Sequence, residues 1–300
     1  MGSNLTFKGS GELDNGWTFG LTVANLNGSA YSSTAVNIDM GGLGKLNLNQ
    51  GDSGNGIDAF DDKMPTAWEE PWGGGLSTGI VTVSGVAKSN NIQYTTPTVF
   101  GTTLTVAAAE MGQADTNDKE SGGVKAEHRG KGYDATININ PSFGTELLSG
   151  LDLFVGGHYT DVMKNSGTGF EGDIYEAVAG VTFDIGPLSI GYGQDGFITG
   201  ESGATAGVSH YRGEMYGVAF NINDDLSVSY GYNSTRKAGY VNCSQSCVNE
   251  DGRMVEVESA QIAYTMGGAS IRLAETRGQN VGFTAANDID ATVISVSLAF

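Results

Sequence analysis

The stretch TVISVSLAF (Thr292–Phe300), which ends the chain, alternates between two kinds of side chain. Every second residue from Thr292 onward is large and mostly apolar, and the residues between are mostly small or polar. A period of two is that of a β-strand with two different faces. The stretch therefore predicts a strand with one apolar face and one face of small or polar residues.

The same alternation occurs fourteen more times, which predicts fifteen strands in all. The other segments are 5–13, 17–23, 36–40, 46–48, 92–94, 104–108, 133–139, 151–155, 175–183, 188–192, 216–222, 226–232, 260–264 and 271–273. The 47 glycines among 300 residues argue against a helical protein, and 12 Tyr with 12 Phe argue against disorder. The fold class predicted is all-β.

The second faces of these strands are polar, as in Asp134, Thr136 and Asn138 or in Ser227 and Ser229. A soluble β-sandwich would need a second apolar layer against its greasy face. Lipid against the apolar face is the simpler explanation, and a soluble sandwich remains the alternative. No stretch reaches the roughly 18 apolar residues of a membrane helix. The pattern favours a transmembrane antiparallel β-barrel, whose strands need only about 9–11 residues.

The connections alternate between short turns and long loops along the chain. The short ones are at 14–16, 41–43, 97–101, 141–150, 184–187, 223–225 and 266–268, and most are rich in Gly, Asn or Asp. The long ones are predicted at 25–32, 51–79, 111–131, 161–173, 194–210, 233–253 and 278–290. Short turns on one side and long loops on the other are typical of outer-membrane barrels.

The odd strand number leaves a problem of closure. With fifteen antiparallel strands the first and the last run in the same direction, whereas bacterial barrels have even strand numbers. We therefore expect sixteen strands, fifteen of them in a single domain over residues 1–300 and one upstream of Met1. The alternative is a parallel closure, as in the nineteen-stranded mitochondrial channel.

Charge and motifs exclude two classes of function. The net charge is -19, from 15 basic and 34 acidic residues, so no nucleic-acid partner is expected. The sequence has no phosphate-binding glycine loop before a helix and no nucleophile elbow, so we do not expect an enzyme. The remaining alternatives are a channel and a barrel that acts mainly as a surface adhesin or structural protein.

The long loop at 51–79 is the most acidic feature of the chain. It holds six carboxylates against the single base Lys63: Asp52, Asp58, Asp61, Asp62, Glu69 and Glu70. Loops of this length are usually functional or disordered. Inside a pore, clustered carboxylates would attract cations and repel anions. The sequence thus predicts a pore constriction, although a solvated external loop would have the same composition.

Strand parity predicts which charged residues line the opposite wall of the pore. They are the bases Lys8, Lys45 and Arg272 and the acids Glu12, Asp134, Asp152 and Glu176. Basic wall residues facing an acidic loop would set up a transverse field that orients polar solutes. No cofactor is expected, although Asp61 and Asp62 could bind Ca²⁺ loosely through their oxygens.

Cys243 and Cys247 lie four residues apart in a polar segment. This spacing suits a small loop disulfide in an oxidising compartment, the alternative being two free thiols.

Four stretches together resemble the sixteen-stranded porins of Gram-negative bacteria, especially those of α-proteobacteria. They are SNLTFKGS (Ser3–Ser10), DNGWTFG (Asp14–Gly20), GKLNLNQ (Gly44–Gln50) and the final strand ending at Phe300. The resemblance implies that the opening strand is the second of sixteen. It also implies a homotrimer of water-filled pores in the bacterial outer membrane, surrounded by lipid and lipopolysaccharide.

In such a porin, Phe300 would be the signal that the barrel-assembly machinery reads, and the acidic loop would fold into the barrel. The expected function is diffusion of small hydrophilic solutes and ions with a preference for cations. A channel that prefers one substrate is the alternative within this class.

Overall fold

The structure is a computed structural model. It describes residues 5–25, 32–51, 54–73, 76–87, 89–111, 129–141, 148–162, 172–201, 208–241 and 248–298, and the side chains of 240, 241 and 248–251 are left aside. Cys243, Cys247, Asp52 and Phe300 lie outside these ranges, so the predictions that concern them stay predictions.

The described residues form one sheet of fifteen strands in sequence order, each hydrogen-bonded to the next along the chain. The strands are β1 Leu5–Glu12, β2 Thr18–Asn25, β3 Ser33–Asp39, β4 Lys45–Gln50, β5 Asn91–Thr95, β6 Thr102–Glu110, β7 Arg129–Ile139, β8 Leu151–Val162, β9 Ile174–Ile185, β10 Leu188–Ile198, β11 Val208–Asn221, β12 Leu226–Val241, β13 Val248–Met266, β14 Ala269–Gln279 and β15 Ile289–Leu298. Short 3-10 turns occur at Gly41–Leu43, Gly56–Phe60, Pro71–Gly73 and Val281–Phe283. The prediction of fifteen antiparallel strands is confirmed.

The two faces of the strands differ as predicted, because the apolar set is exposed. Phe7 and Val296 are 62% and 63% exposed, whereas Asp134 and Thr136 on the polar face are 3% and 6% exposed. An exposed apolar face and a buried polar face are the reverse of a soluble sheet. The arrangement is that of a transmembrane β-barrel, in which lipid covers the outside.

In the second half of the chain, the edge of the apolar face on the side of the long loops indicates that the strands are tilted. Three tyrosines are register partners across β10, β11 and β12: Tyr192, Tyr216 and Tyr232. We call them the tyrosine row. At the same register, β14 and β15 have Arg277 and Asp290 in place of tyrosines. The last large apolar residues of these two strands, Leu273 and Ile294, lie four residues nearer the short turns. From β10 to β15, across five strand spacings or about 24 Å, the edge of the apolar face shifts by four residues, or about 13 Å along the strands. The apolar band is therefore level only if the strands tilt by roughly 30°. Transmembrane barrels tilt by about 35–45°.

Two predicted long loops are shorter than expected. β10 runs to Ile198 and β11 begins at Val208, while β12 and β13 extend to Val241 and from Val248. The predictions at 194–210 and 233–253 were wrong because strand pairing continues beyond the apolar band, where both faces are polar and the period of two disappears. Conversely, the predicted loop 51–79 extends to residue 90, since β5 begins at Asn91.

The sheet order places β1 and β15 at its two edges. The sixteenth strand therefore stays a prediction. The chain divides into two compact units, Met1–Asp61 with Val83–Ile139 and Val155–Ala177, and Asp62–Thr82 with Asn140–Phe154 and Val178–Phe300. The prediction of a single domain is not tested by this division. Among the described residues, no helix has the length and apolar character to cross a membrane.

Candidate functional site: an acidic segment on the polar face

The residues between β4 and β5 form the largest irregular part of the described chain. We call residues 51–90 the β4–β5 segment. It has two 3-10 turns, Gly56–Phe60 and Pro71–Gly73, and no strand among its described residues. Its backbone N–H groups lack ladder partners, and buried groups of this kind need other acceptors. Side chains on the polar face of the sheet supply them.

In the first unit, the carboxylate of Asp134 on β7 is one such acceptor. Its Oδ2 accepts the N–H of Ile57 at 2.9 Å and the N–H of Val86 at 3.2 Å. Its Oδ1 lies 2.5 Å from Nδ1 of His158, whose Nε2 lies 2.6 Å from the Thr160 hydroxyl. The Asp134 and His158 side chains are buried. Asp134 thus anchors two separate points of the segment.

Glu176 on β9 is the second carboxyl anchor of the first unit. Its Oε2 accepts the N–H groups of Ser84 at 2.6 Å and Gly85 at 3.0 Å. Gln93 on β5 accepts the N–H of Gly56 at 2.7 Å. Two carboxylates and one amide therefore hold this part of the segment against the sheet.

Glycine allows this close approach at two positions. Gly56 and Gly85 have φ of +60° and +54°, and a Cβ at either position would collide with the Asp134 carboxylate. The backbone could not reach Asp134 in this conformation with a larger residue. These two glycines thus belong to the anchoring site.

In the second unit, neutral side chains hold the backbone of the segment. The contacts are the Ala67 N–H to Ser229 Oγ at 2.8 Å, the Glu69 N–H to Gln261 Oε1 at 3.0 Å, Gln261 Nε2 to the Glu69 carbonyl at 2.6 Å and the Val81 N–H to Thr235 Oγ1 at 3.0 Å. They come from β12 and β13. Hydroxyl and amide groups hold the backbone here without adding charge.

A row of glycines lies beneath this second part of the segment. Gly191, Gly217 and Gly231 are register partners on β10, β11 and β12. A Cβ on Gly191 or Gly217 would come within 2.7 Å or 2.6 Å of Pro65, and one on Gly231 within 2.7 Å of Pro71. Real Cβ contacts are longer, so the row provides the room in which the segment lies.

The single base of the acidic loop is paired with the wall. Lys63 Nζ lies 3.2 Å from Oδ2 of Asp152 on β8 and 5.9 Å from the centre of the Phe154 ring. Asp152 was predicted as an open wall charge, as was Asp134. The structure instead gives both carboxylates partners in the β4–β5 segment, so their charge is engaged in holding it.

The six predicted loop acids do not form one set. Asp58 is buried, and its Oδ2 accepts the N–H of Gly54 at 2.7 Å. It therefore shapes its own turn. Asp61 is half-buried. Asp52 lies outside the described residues.

Asp62, Glu69 and Glu70 are the carboxylates that stay open. Asp62 is exposed, Glu69 and Glu70 are half-buried, and in the described chain none of them pairs with a base. Burial raises the pKa of the Glu70 carboxyl, and the neighbouring charges of Asp62 and Glu69 add to this, against the effect of a backbone hydrogen bond. These three residues are close enough to act on one another electrically, and we call them the open carboxylates.

The remaining wall residues are accessible. Lys8 and Glu12 on β1 are exposed, and so is Lys45, whose Nζ lies 3.4 Å from Asp39. Arg272 on β14 is half-buried, and its Nε donates to the Ser270 hydroxyl at 3.2 Å. Their role in a transverse field stays a prediction.

In the described part of the chain, no three His, Cys, Asp or Glu side chains form a group that could hold a metal ion. Loose calcium binding at Asp61 and Asp62 therefore stays a prediction without structural support.

Several anchors were not predicted from the sequence. Gln93, Ser229, Thr235 and Gln261 are common polar residues, and only their inward strand parity distinguishes them. The glycine row had a clearer signal, because Gly191, Gly217 and Gly231 share that parity on three successive strands. Glycine at aligned inward positions indicates that something lies close to the wall.

The comparisons with known proteins agree on the fold. No protein-family model and no curated protein sequence matches the chain. Among solved structures, a porin refined at 1.8 Å resolution is similar with a TM-score of 0.65 and 11% identity over 99% of this chain and 92% of that one. OmpF of Salmonella typhi in complex with daunomycin has a TM-score of 0.64 and 11% identity, and an anion-selective porin from Comamonas acidovorans has 0.62 and 12%, each over 99% of this chain and 89% of the other.

The fold and the segment folded against its polar face define the structural class. This is the fold of the transmembrane β-barrels of the bacterial outer membrane that form porins. At 11–12% identity the similarity establishes the fold alone. Function must be argued from the residues of this chain.

Proposed function

We propose that the chain forms a diffusion channel in the bacterial outer membrane for small hydrophilic solutes and ions, with a preference for cations. The observation that carries the proposal is the β4–β5 segment, which is folded against the polar face of the strands and presents Asp62, Glu69 and Glu70, none of which pairs with a base in the part of the chain that the structure describes. In a narrow aqueous path, such carboxylates raise the local concentration of cations.

The fold does not decide the sign of the preference. One of the similar structures is an anion-selective porin. The same architecture therefore supports either sign, and the charges of the individual chain must determine it. Here Lys63 is paired with Asp152. Residues 51–90 hold six acids against two bases, Lys63 and Lys88, which leaves negative charge on the segment.

The same proposal includes a homotrimer in outer-membrane lipid and lipopolysaccharide, assembled by the barrel-assembly machinery through Phe300. The resemblance to α-proteobacterial porins supports these partners. It also supports a passive, non-enzymatic role.

The test is the conductance of the purified full chain in a planar bilayer with a KCl gradient. The proposal predicts stepwise openings in multiples of three and a reversal potential of the sign that K⁺ permeation produces. A folded barrel that inserts without conducting would contradict the channel function, and a reversal potential of the opposite sign would contradict the cation preference.

A further inference from the structure

Two arginines on the outward face of the second unit have no partner of opposite charge among the described residues. Arg212 on β11 and Arg236 on β12 are both exposed and are register partners. Within the described residues neither forms an ion pair, and the one contact of the Arg236 guanidinium is with the Met254 sulfur at 3.8 Å. Like charges at directly opposed positions of a sheet are destabilising, so this pair needs a compensating group.

Glu214 and Glu256, two nearby acids whose side chains the structure describes, form hydrogen bonds with other side chains. Glu214 accepts from Gln194 Nε2 at 3.0 Å, and Glu256 accepts from the Tyr232 hydroxyl at 2.7 Å. The chain has 15 bases against 34 acids, so two adjacent unpaired bases are unusual in it. By contrast Arg277, which is also exposed on the outward face, lies 3.0 Å from Asp290 and 3.8 Å from Glu258.

The pair lies just beyond the lipid headgroup region, at a height from which its side chains can reach the headgroups. Arg212 and Arg236 each lie four residues beyond the tyrosine row, toward the long loops. That is about 13 Å along a strand, and about 10 Å along the membrane normal for strands tilted as in other transmembrane barrels. Tyrosines mark the membrane interface, the headgroup layer is roughly 5–8 Å thick on each side, and arginine side chains can reach back toward it.

We propose that Arg212 and Arg236 bind the phosphate of an outer-leaflet lipid headgroup. This rests on the proposed function, because it takes the long loops to face the cell exterior. A guanidinium binds phosphate oxygens in a bidentate manner, and a phosphate between two arginines converts a repulsive pair into two charge-assisted contacts. The surface thus recognises phosphorylated lipid rather than lipid in general.

The test is lipid retention on the purified full chain, measured by native mass spectrometry against a diglucosamine lipid that carries two phosphates. The double variant R212Q/R236Q should bind this lipid at least about tenfold more weakly than the original chain, as expected for the loss of two charge-assisted contacts. The matched control R277Q removes an outward arginine that already has partners and should change binding less than about twofold.

Three results would overturn the proposal: unchanged binding by R212Q/R236Q, equal binding of the dephosphorylated lipid by the original chain, or complete displacement of the lipid by equimolar inorganic phosphate. R212K/R236K keeps the charge and should bind with intermediate strength. Because both side chains are exposed, the variants should fold as the original chain does. Heat-dependent migration on gels checks this. Bilayer conductance of the same preparations tests the channel separately, and R212Q/R236Q should conduct as the original chain does.

Discussion

The two parts of the β4–β5 segment are held to the sheet by different chemistry. In the first unit the backbone N–H groups are held mainly by the carboxyl groups of Asp134 and Glu176, whereas in the second unit they are held by the neutral side chains of Ser229, Thr235 and Gln261. The carboxylate of Asp152, also in the second unit, pairs with the Lys63 side chain rather than with the backbone. The difference shows that the number of acids on the polar face does not give the charge that this face presents to water. Carboxylates that anchor the backbone are withdrawn from water, and neutral anchors leave the segment's own acids open.

The largest expected effect comes from removing a buried carboxyl anchor without replacing its oxygens. Glu176→Leu leaves the buried N–H group of Gly85 and the part-buried N–H group of Ser84 without acceptors, at a cost of about 1–3 kcal/mol for the buried group and less for the other. Denaturant unfolding in detergent should show this loss. Glu176→Gln keeps one acceptor oxygen and should cost less.

The matched change in the second unit is Gln261→Leu. The contacts of Gln261 with Glu69 are only partly buried, so water can replace them and the loss should be about 1 kcal/mol or less. Equal destabilisation by Glu176→Leu and Gln261→Leu would show that the two kinds of anchor do not differ.

A second break targets the glycine row. Gly217→Val places a side chain where Pro65 lies and should displace the segment from β11, with altered single-channel conductance at retained folding. Gly20→Val is the control, because a Cβ at Gly20 meets no atom within 4 Å. Unchanged conductance in Gly217→Val would mean that the segment does not limit the pore.

A smaller effect follows from the raised pKa of Glu70. A carboxyl with a raised pKa takes up its proton at a higher pH than an ordinary glutamate, so it loses its charge first as the pH falls. Cation preference should therefore begin to decline above the usual glutamate range of about 4.3. Glu70→Gln should remove this first part of the decline, measured as reversal potential against pH. The same titration curve in Glu70→Gln and the original chain would contradict the assignment.

The sequence predicted the strands well because each crosses an apolar band, as Leu21, Val218 and Ile294 illustrate. Their period of two follows from the lipid on one side. Beyond the apolar band the period of two is lost, so the sequence predicts a loop where the outer parts of β12 and β13 are strands.

The site was only partly predictable, because composition identified the acidic segment but not its contacts. Asp134 looked like an open wall charge, yet its oxygens hold Ile57 and Val86, which lie far from it in sequence. Such partners depend on how an irregular segment folds back on the sheet, and irregular backbone has no period to indicate this.

The central claim is that the open carboxylates determine the preference for cations, and the reversal potential at low salt tests it most directly. The triple variant Asp62→Asn, Glu69→Gln and Glu70→Gln should move the potential toward zero, and the difference from the original chain should shrink near 1 M salt, where the screening length is about 3 Å. A control variant removes three turn acids instead: Asp184, Asp224 and Asp225. It should retain the original potential, and a triple variant that also retains it would contradict the account.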